Sequence, residues 1–377
     1  MPLFLTIARL PRTGLVIPTA AKRSAGTHQR APRSTMDPGS ALLRSLSGMT
    51  ARVVAATALL LSAWISAQAQ PLDKVTVAGW SQPISEITNL LAEPDKGFFK
   101  AKGIALDYVP GNGGGAALQN MLAGQADVAF TDPAALYLAL DKGEKLVTIY
   151  NIYPQNVFNV VALKSSSIRT AADLKGKRIG VYSLASGTYQ NLLVLLHQVG
   201  LGEKDVTIQP TGLLNFAPLM QGAVDATAAT DTGLLVARAK GLGEANVIEV
   251  RDQLNLPSDI FVVKASYYEQ NKPLLKRFLA AYRDSAAWMI AKPDEAARIA
   301  VTRAINGRDE AVNLEIIKLR NASSISQTTE REGLGRFDLD ALQKGADTFR
   351  SLGLIGSQID MKAVVKSDLI PAKDGAP

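Results

Sequence analysis

The chain has no cysteine among its 377 residues. That excludes disulfides, thiolate metal sites, thiol nucleophiles and the acylated cysteine of a bacterial lipoprotein. It does not exclude an oxidising compartment, where many proteins carry no disulfide. Histidine is nearly as scarce, with only His28 and His197. A histidine metal site needs more ligands than these. A hydroxyl nucleophile needs a base within reach. His197 follows Leu195-Leu196 inside an expected helix, about three turns beyond Ser186, and reads as a helix histidine rather than a triad base. Long apolar runs are also wanting. The run 53–65 is too short to span a bilayer as a typical transmembrane helix.

A formal charge of +7 suggests a polyanion partner until its location is considered. Eight Lys or Arg precede Gln70, against the single acid Asp37, leaving 33 bases and 33 acids beyond. The basic balance belongs to the leader, so no nucleic-acid partner is expected. Residues 1–48 are rich in Arg, Ser and Thr and show no sustained period, as in a disordered leader or an untranslated segment, with Met1, Met36 and Met49 as alternative starts. From Met49 the pattern is that of a secretory signal over 49–69: Arg52, the apolar run, then Ala67-Gln68-Ala69 as a small-x-small cleavage site. The mature protein is expected to begin at Gln70, secreted and soluble. The alternative keeps the run as an anchor for a membrane-bound sensor module.

Beyond Gln70, strand-like runs alternate with helical periods. Strands are expected at 74–80, 106–109, 128–130, 145–150, 157–163, 177–182, 206–209, 226–229, 247–250 and 260–263. The strongest helices are expected at 189–199 and 273–290, with shorter ones continuing to about 352. The length suits two domains, and 47% hydrophobic content supplies sizeable cores. This is a doubly wound α/β design, each lobe holding one sheet. The chain is expected to cross near 162 and return near 252, giving one lobe from 70–161 with 253–377 and a second from 162–252.

The organising stretch is 111–143, GNGGGAALQNMLAGQADVAFTDPAALYLALDKG. It holds two strand-to-helix turns in succession. Gly113 and Gly114 leave backbone N–H groups open to a ligand at a helix start. Thr131 or Asp132 is placed as an N-cap, with Pro133 at the first helical position. Segment 220–241 echoes 122–143: Gly124 meets Gly222, Asp127 meets Asp225, Leu136 meets Leu234, and Thr131-Asp132 matches Thr230-Asp231 after a shift of one residue. Asp132 and Asp231 are either simple caps or a pair facing a shared cleft; in the cleft they favour a ligand with a cationic or hydrogen-donating end. Trp80 ends the first strand and either stacks on a flat ligand or packs in the core; Phe158 and Tyr182 carry the same ambiguity. The run 111–116 also fits a dinucleotide fingerprint, with Asp132 near the position of a ribose-binding acid, the best case for an oxidoreductase. Against it, the run follows the second strand, Pro110 interrupts the turn, and export removes the protein from the nucleotide pool.

The run Gly97-Phe98-Phe99 with Lys102-Gly103-Ile104, the segments 122–129 and 173–181, and the late helical region 273–297 occur in an order that resembles the periplasmic solute-binding proteins of ABC importers. The branch is the one for nitrate, taurine, alkanesulfonates and pyrimidine precursors of thiamine. The resemblance implies a two-lobed periplasmic-binding fold of type II, each lobe a mostly parallel sheet flanked by helices, with two crossing segments as hinge. It implies a monomer that takes a small solute (an amine, a pyrimidine-like compound, an aromatic carboxylate or a sulfonate) and docks to an ABC permease of the inner membrane. It implies no turnover and no cofactor. Carried over by position, ligand groups come from Ser81 and Gln82, Gly113 and Gly114, Thr131 and Asp132, Asn159, Ser183, Ser186, Gly187 and Thr188, and Thr230 and Asp231. Sulfonate binders often carry a Trp-Glu pair where this chain has Thr230-Asp231-Thr232-Gly233. The thiamine-precursor synthases of the superfamily carry a cysteine-rich motif that is missing here.

Overall fold

Strands buried on both faces belong in the interior of sheets covered by helices, and the central strands have that character. β1 (Asp73–Ala78) is buried from Val75 onward and β3 (Val128–Thr131) throughout; β4 (Leu146–Tyr153) ends its sheet and is nonetheless buried along all eight residues. β2 (Ile104–Val109) is half-buried, as an edge strand should be. β5 (Phe158–Leu163), β6 (Arg178–Val181), β7 (Thr207–Pro210), β8 (Ala226–Thr230) and β9 (Ala245–Glu249) form a second sheet. β10 (Asp259–Lys264) returns to the first. In the computed structural model, which describes residues 71–214 and 216–373, the sheet orders are β2-β1-β3-β10-β4 and β7-β6-β8-β5-β9. The expected leader and signal segment lie outside the described residues.

The two sheets share one plan. In each, three strands run parallel, and the fourth and fifth join antiparallel: β10 against β3 and β4, and β5 against β8 and β9. The sheets are therefore mixed rather than purely parallel, because the fourth strand of each follows a crossing segment and enters from the opposite end. The chain passes between sheets at 154–157 and again at 250–258. β5 pairs with the second sheet from Phe158, so the crossing expected near 162 falls inside that strand.

The principal helices are α1 (Gly114–Leu122), α2 (Pro133–Asp141), α3 (Gly187–Gln198), α4 (Ala217–Met220), α5 (Asp231–Ala239), α6 (Lys272–Ala291), α7 (Pro293–Arg303), α8 (Glu310–Ser323) and α9 (Leu339–Ser351). The echoed segments 122–143 and 220–241 are equivalent units, β3–α2 in one sheet and β8–α5 in the other. Aromatic rings consolidate the first core. Phe261 lies edge-on to Phe130, Phe278 and Tyr282 at centroid distances of 5.4, 5.3 and 4.7 Å, geometry that adds to burial. Among the described residues no helix is long and apolar enough to cross a membrane.

Candidate functional site

The parallel strands of both sheets end at facing edges, and a cavity of about 460 Å³ lies there. That is within the range of sites for small molecules. Its walls are largely apolar: Trp80, Ile84 and Ile305 on one side, Phe158, Tyr182, Leu213, Phe216, Met220 and Val236 on the other.

Each expected site residue has a definite place. Trp80, Gly113, Gly114, Asp132, Ser186, Gly187, Thr188 and Thr230 line the cavity. Trp80 also packs edge-on to Phe130, so it serves core and cavity together. Ser81, Gln82, Thr131, Asn159, Ser183 and Asp231 do not line it. The Ser81 hydroxyl donates to the Gln82 carbonyl, Gln82 is exposed, and the Thr131 hydroxyl donates to the Gly114 carbonyl. Asn159 is buried within β5 with both amide atoms unpartnered. Ser183 bridges the lobes, donating to the Asn112 carbonyl at 2.6 Å. Asp231 is turned to an ion pair with Arg320.

Each helix start at the cavity has part of its backbone N–H set engaged within the protein. Asp132 caps α2 by accepting the Ala135 N–H at 2.9 Å, Ser186 caps α3, and Thr230, rather than Asp231, caps α5. At the start of α1, the Gly113 N–H donates to Trp80 and the Gly115 N–H to Ala185 in the opposite lobe. Gly113 has φ +113°, and a Cβ there would lie 2.4 Å from the Ala185 carbonyl oxygen. The glycine-rich run therefore lets one lobe approach the other, which leaves the dinucleotide reading without support.

Three charged groups escaped the sequence reading. Glu86 takes the Thr232 hydroxyl across the cleft at 2.7 Å. Arg320, on α8, is almost wholly buried, with Nε 2.9 Å from a Glu86 oxygen at which its N–H does not point. It also meets Asp231, donates to the Thr232 hydroxyl at 3.0 Å, and lies 5.3 Å over the Tyr153 ring. A signal for Arg320 existed: it continues the buried stripe Asn313, Ile316, Ile317 at helical spacing. Asp259 begins β10 and had no such signal.

The register pairs Ile260 with Thr131, so the next step sets Asp259 beside Asp132 across the strand ends. Burial raises the Asp132 carboxyl to about 6, opposed by the backbone N–H groups it accepts. Burial first, and then the Asp132 charge, push Asp259 well above the carboxylate range, with Arg320 pulling the other way. Among the described residues no cluster of His, Asp or Glu suits a metal ion.

Two hinged α/β lobes with a cavity between their facing edges define the periplasmic-binding-protein fold. Solved structures of that fold overlay well. The aliphatic sulphonate binding protein of Escherichia coli matches with a TM-score of 0.59 and 19% identity, over 79% of this chain and 99% of that one. The ligand-binding component of an ABC-type import system from Staphylococcus aureus matches with a TM-score of 0.59 and 13% identity, over 79% and 98%. A family model described as NMT1/THI5 like matches residues 84–296, and the chain belongs to that family. A riboflavin-binding protein of Chloroflexus aurantiacus is 26% identical over 80% of this chain and 88% of its own length. A binding protein of Brucella abortus is 24% identical over 78% and 89%. The relatives are described as binding proteins, and the chain combines membership of this family with the periplasmic-binding-protein fold.

Proposed function

We propose that the protein captures a small organic solute between its lobes in the periplasm and hands it unchanged to an inner-membrane permease. The observation that carries this reading is the cavity between the lobes, walled by side chains from both sheets and bridged by Ser183–Asn112, Gly115–Ala185 and Thr232–Glu86 hydrogen bonds. A clamp of this kind gains specificity by closing, because each lobe supplies only part of the ligand shell. Trp80, Asp132, Ser186, Thr188 and Thr230 are the expected ligand-facing groups, joined by Glu86 and Asp259. On the cavity wall the Ser186 oxygen is engaged with Thr188 at 2.7 Å and with the Tyr189 N–H.

Native mass spectrometry of the periplasmic protein is expected to show one bound small molecule, released on unfolding. Adding back that molecule is expected to raise the melting temperature, since ligand binds only the folded state. A well-folded protein that carries nothing and gains no stability from any solute overturns the reading. The same sample tests export: its first residue is expected to be Gln70, without a lipid, and sedimentation is expected to show a monomer.

A further inference from the structure

We propose that Arg320 is a positioning residue for capture: it latches the two lobes together through Asp231 and Thr232, so that the solute-free protein already samples the closed clamp. The inference rests on the solute-capture reading and assigns part of the closing energy to the protein itself.

Arg320 stands on α8 and Glu86 on the turn Ser85–Ile87, both in the first lobe, while Asp231 and Thr232 open α5 in the second. α8 packs against α5, so the lobes meet at these two helices. The guanidinium is aimed across the cleft. Its Nη2 donates to the Asp231 carboxylate and, at 3.0 Å, to the Thr232 hydroxyl. Within its own lobe the bonding is poorer. Nη1 donates to the Ser323 hydroxyl at a long 3.4 Å, and the Nε–H does not point at Glu86. Glu86 also faces the second lobe, accepting the Thr232 hydroxyl at 2.7 Å. Thr232 thus accepts from one first-lobe side chain and donates to another, which fixes its hydroxyl in both senses.

Solvation makes this contact a latch rather than a brace. Arg320 is 1% exposed with the lobes together. Parting α5 from α8 lets water reach the guanidinium; closing strips that water and leaves the second lobe to replace it. Burial works against the Arg320 charge, and Asp231 first, then Glu86, more than restore it. A buried charge deprived of a partner is costly. Removing Asp231 therefore penalises the closed arrangement and spares the open one. A hydrogen bond to a charged group is worth enough to move a two-state ratio about tenfold or more. The Ser183–Asn112 and Gly115–Ala185 bonds between the lobes are neutral. Asp231 does not line the cavity. It acts on a solute through the closed fraction alone, so its loss weakens every solute by one common factor.

The test needs no solute. A chain without cysteine takes spin labels only where cysteines are introduced. Arg308 and Lys240 are exposed, one on each lobe. Labels at Arg308→Cys and Lys240→Cys report the spacing of the lobes by double electron–electron resonance, in mature protein unfolded in urea, dialysed and refolded to strip any solute. The labelled parent is expected to show the short spacing of this structure in a measurable fraction. Asp231→Asn and Thr232→Val are each expected to lower the ratio of short to long spacing about tenfold. Thr232→Ser, which keeps the hydroxyl, is expected to keep the parent's ratio; a merely structural role would not make the ratio follow the hydroxyl. A stripped parent with the long spacing alone overturns the inference, and so do Asp231→Asn and Thr232→Val variants with the parent's ratio. Should Asp231→Asn fail to fold, the Thr232→Val and Thr232→Ser pair decides by the same criterion. Either failure leaves solute capture standing, since that reading is tested separately by native mass spectrometry.

Discussion

Replacing Asp132 by Asn should stabilise the ligand-free protein at neutral pH while leaving it nearly unchanged in acid. Burial raises this carboxyl from 3.8 to about 6. A raised carboxyl binds its proton more tightly in the folded state than in the unfolded chain. The stability it contributes is therefore fully present below about pH 4 and is lost as pH rises through about 6. The shift corresponds to about 3 kcal/mol, an upper bound because water in the open cavity screens the charge. Asn caps a helix about as well as Asp, so the hydrogen bond from the Ala135 N–H survives the exchange. The groups facing the site are Asp259, Glu86, Arg320, Tyr182 and Lys240. Removing the Asp132 charge also eases ionisation of Asp259, which acts in the same direction. Urea unfolding at about pH 4 and about pH 7.5 should give equal midpoints for the two proteins in acid and a gain of up to about 3 kcal/mol for the variant at the higher pH. A variant destabilised equally at both pH values would refute the reasoning, since Asp132 would then act only as a cap.

Arg320→Met should cost about 3–5 kcal/mol in urea unfolding, because it leaves the half-buried carboxylates of Glu86 and Asp231 without their buried partner; a loss under about 1 kcal/mol would show those carboxylates to be solvated. Gly113→Ala should place a methyl group against the Ala185 carbonyl and hold the lobes apart. Small-angle scattering should record a larger radius of gyration with bound solute, and affinity should fall by at least about tenfold. Gly187→Ala should press on the Phe158 ring, which a Cβ would approach to 2.5 Å; a cavity-directed loss of affinity with an unchanged unfolding midpoint would place the effect in the wall rather than the core. Trp80→Ala should lower affinity for aromatic solutes by about tenfold or more through lost stacking, read by calorimetry.

Much of the architecture was legible because it depends on local signals. The glycine that closes a helix, the proline that opens the next and the short apolar run between them are neighbours in the chain, and 122–143 repeats them at 220–241. Strand direction was not legible in the same way: β5 and β10 are apolar runs like the others, and their antiparallel entry follows from the crossings. The candidate site divides along the same line. Trp80, Asp132, Ser186 and Thr230 stand at strand ends or helix starts, where sequence reasoning looks for ligands, and they reach the cavity. Arg320 arrives from α8, far along the chain, and Asp259 is a lone acid ahead of a strand. Their roles exist only after the sheets are assembled. Asp231 misled because its partner is that distant arginine.

The position of β10 inside the first sheet, between β3 and β4, sets an order on folding. All five strands of the second sheet lie within 158–249, so that sheet has all its strands as soon as residue 249 has been synthesised. The first sheet does not: until residue 264 emerges, β3 and β4 have no strand between them and present raw edges to solvent. The half that is made first must therefore finish last, waiting on a chain that has already left and come back.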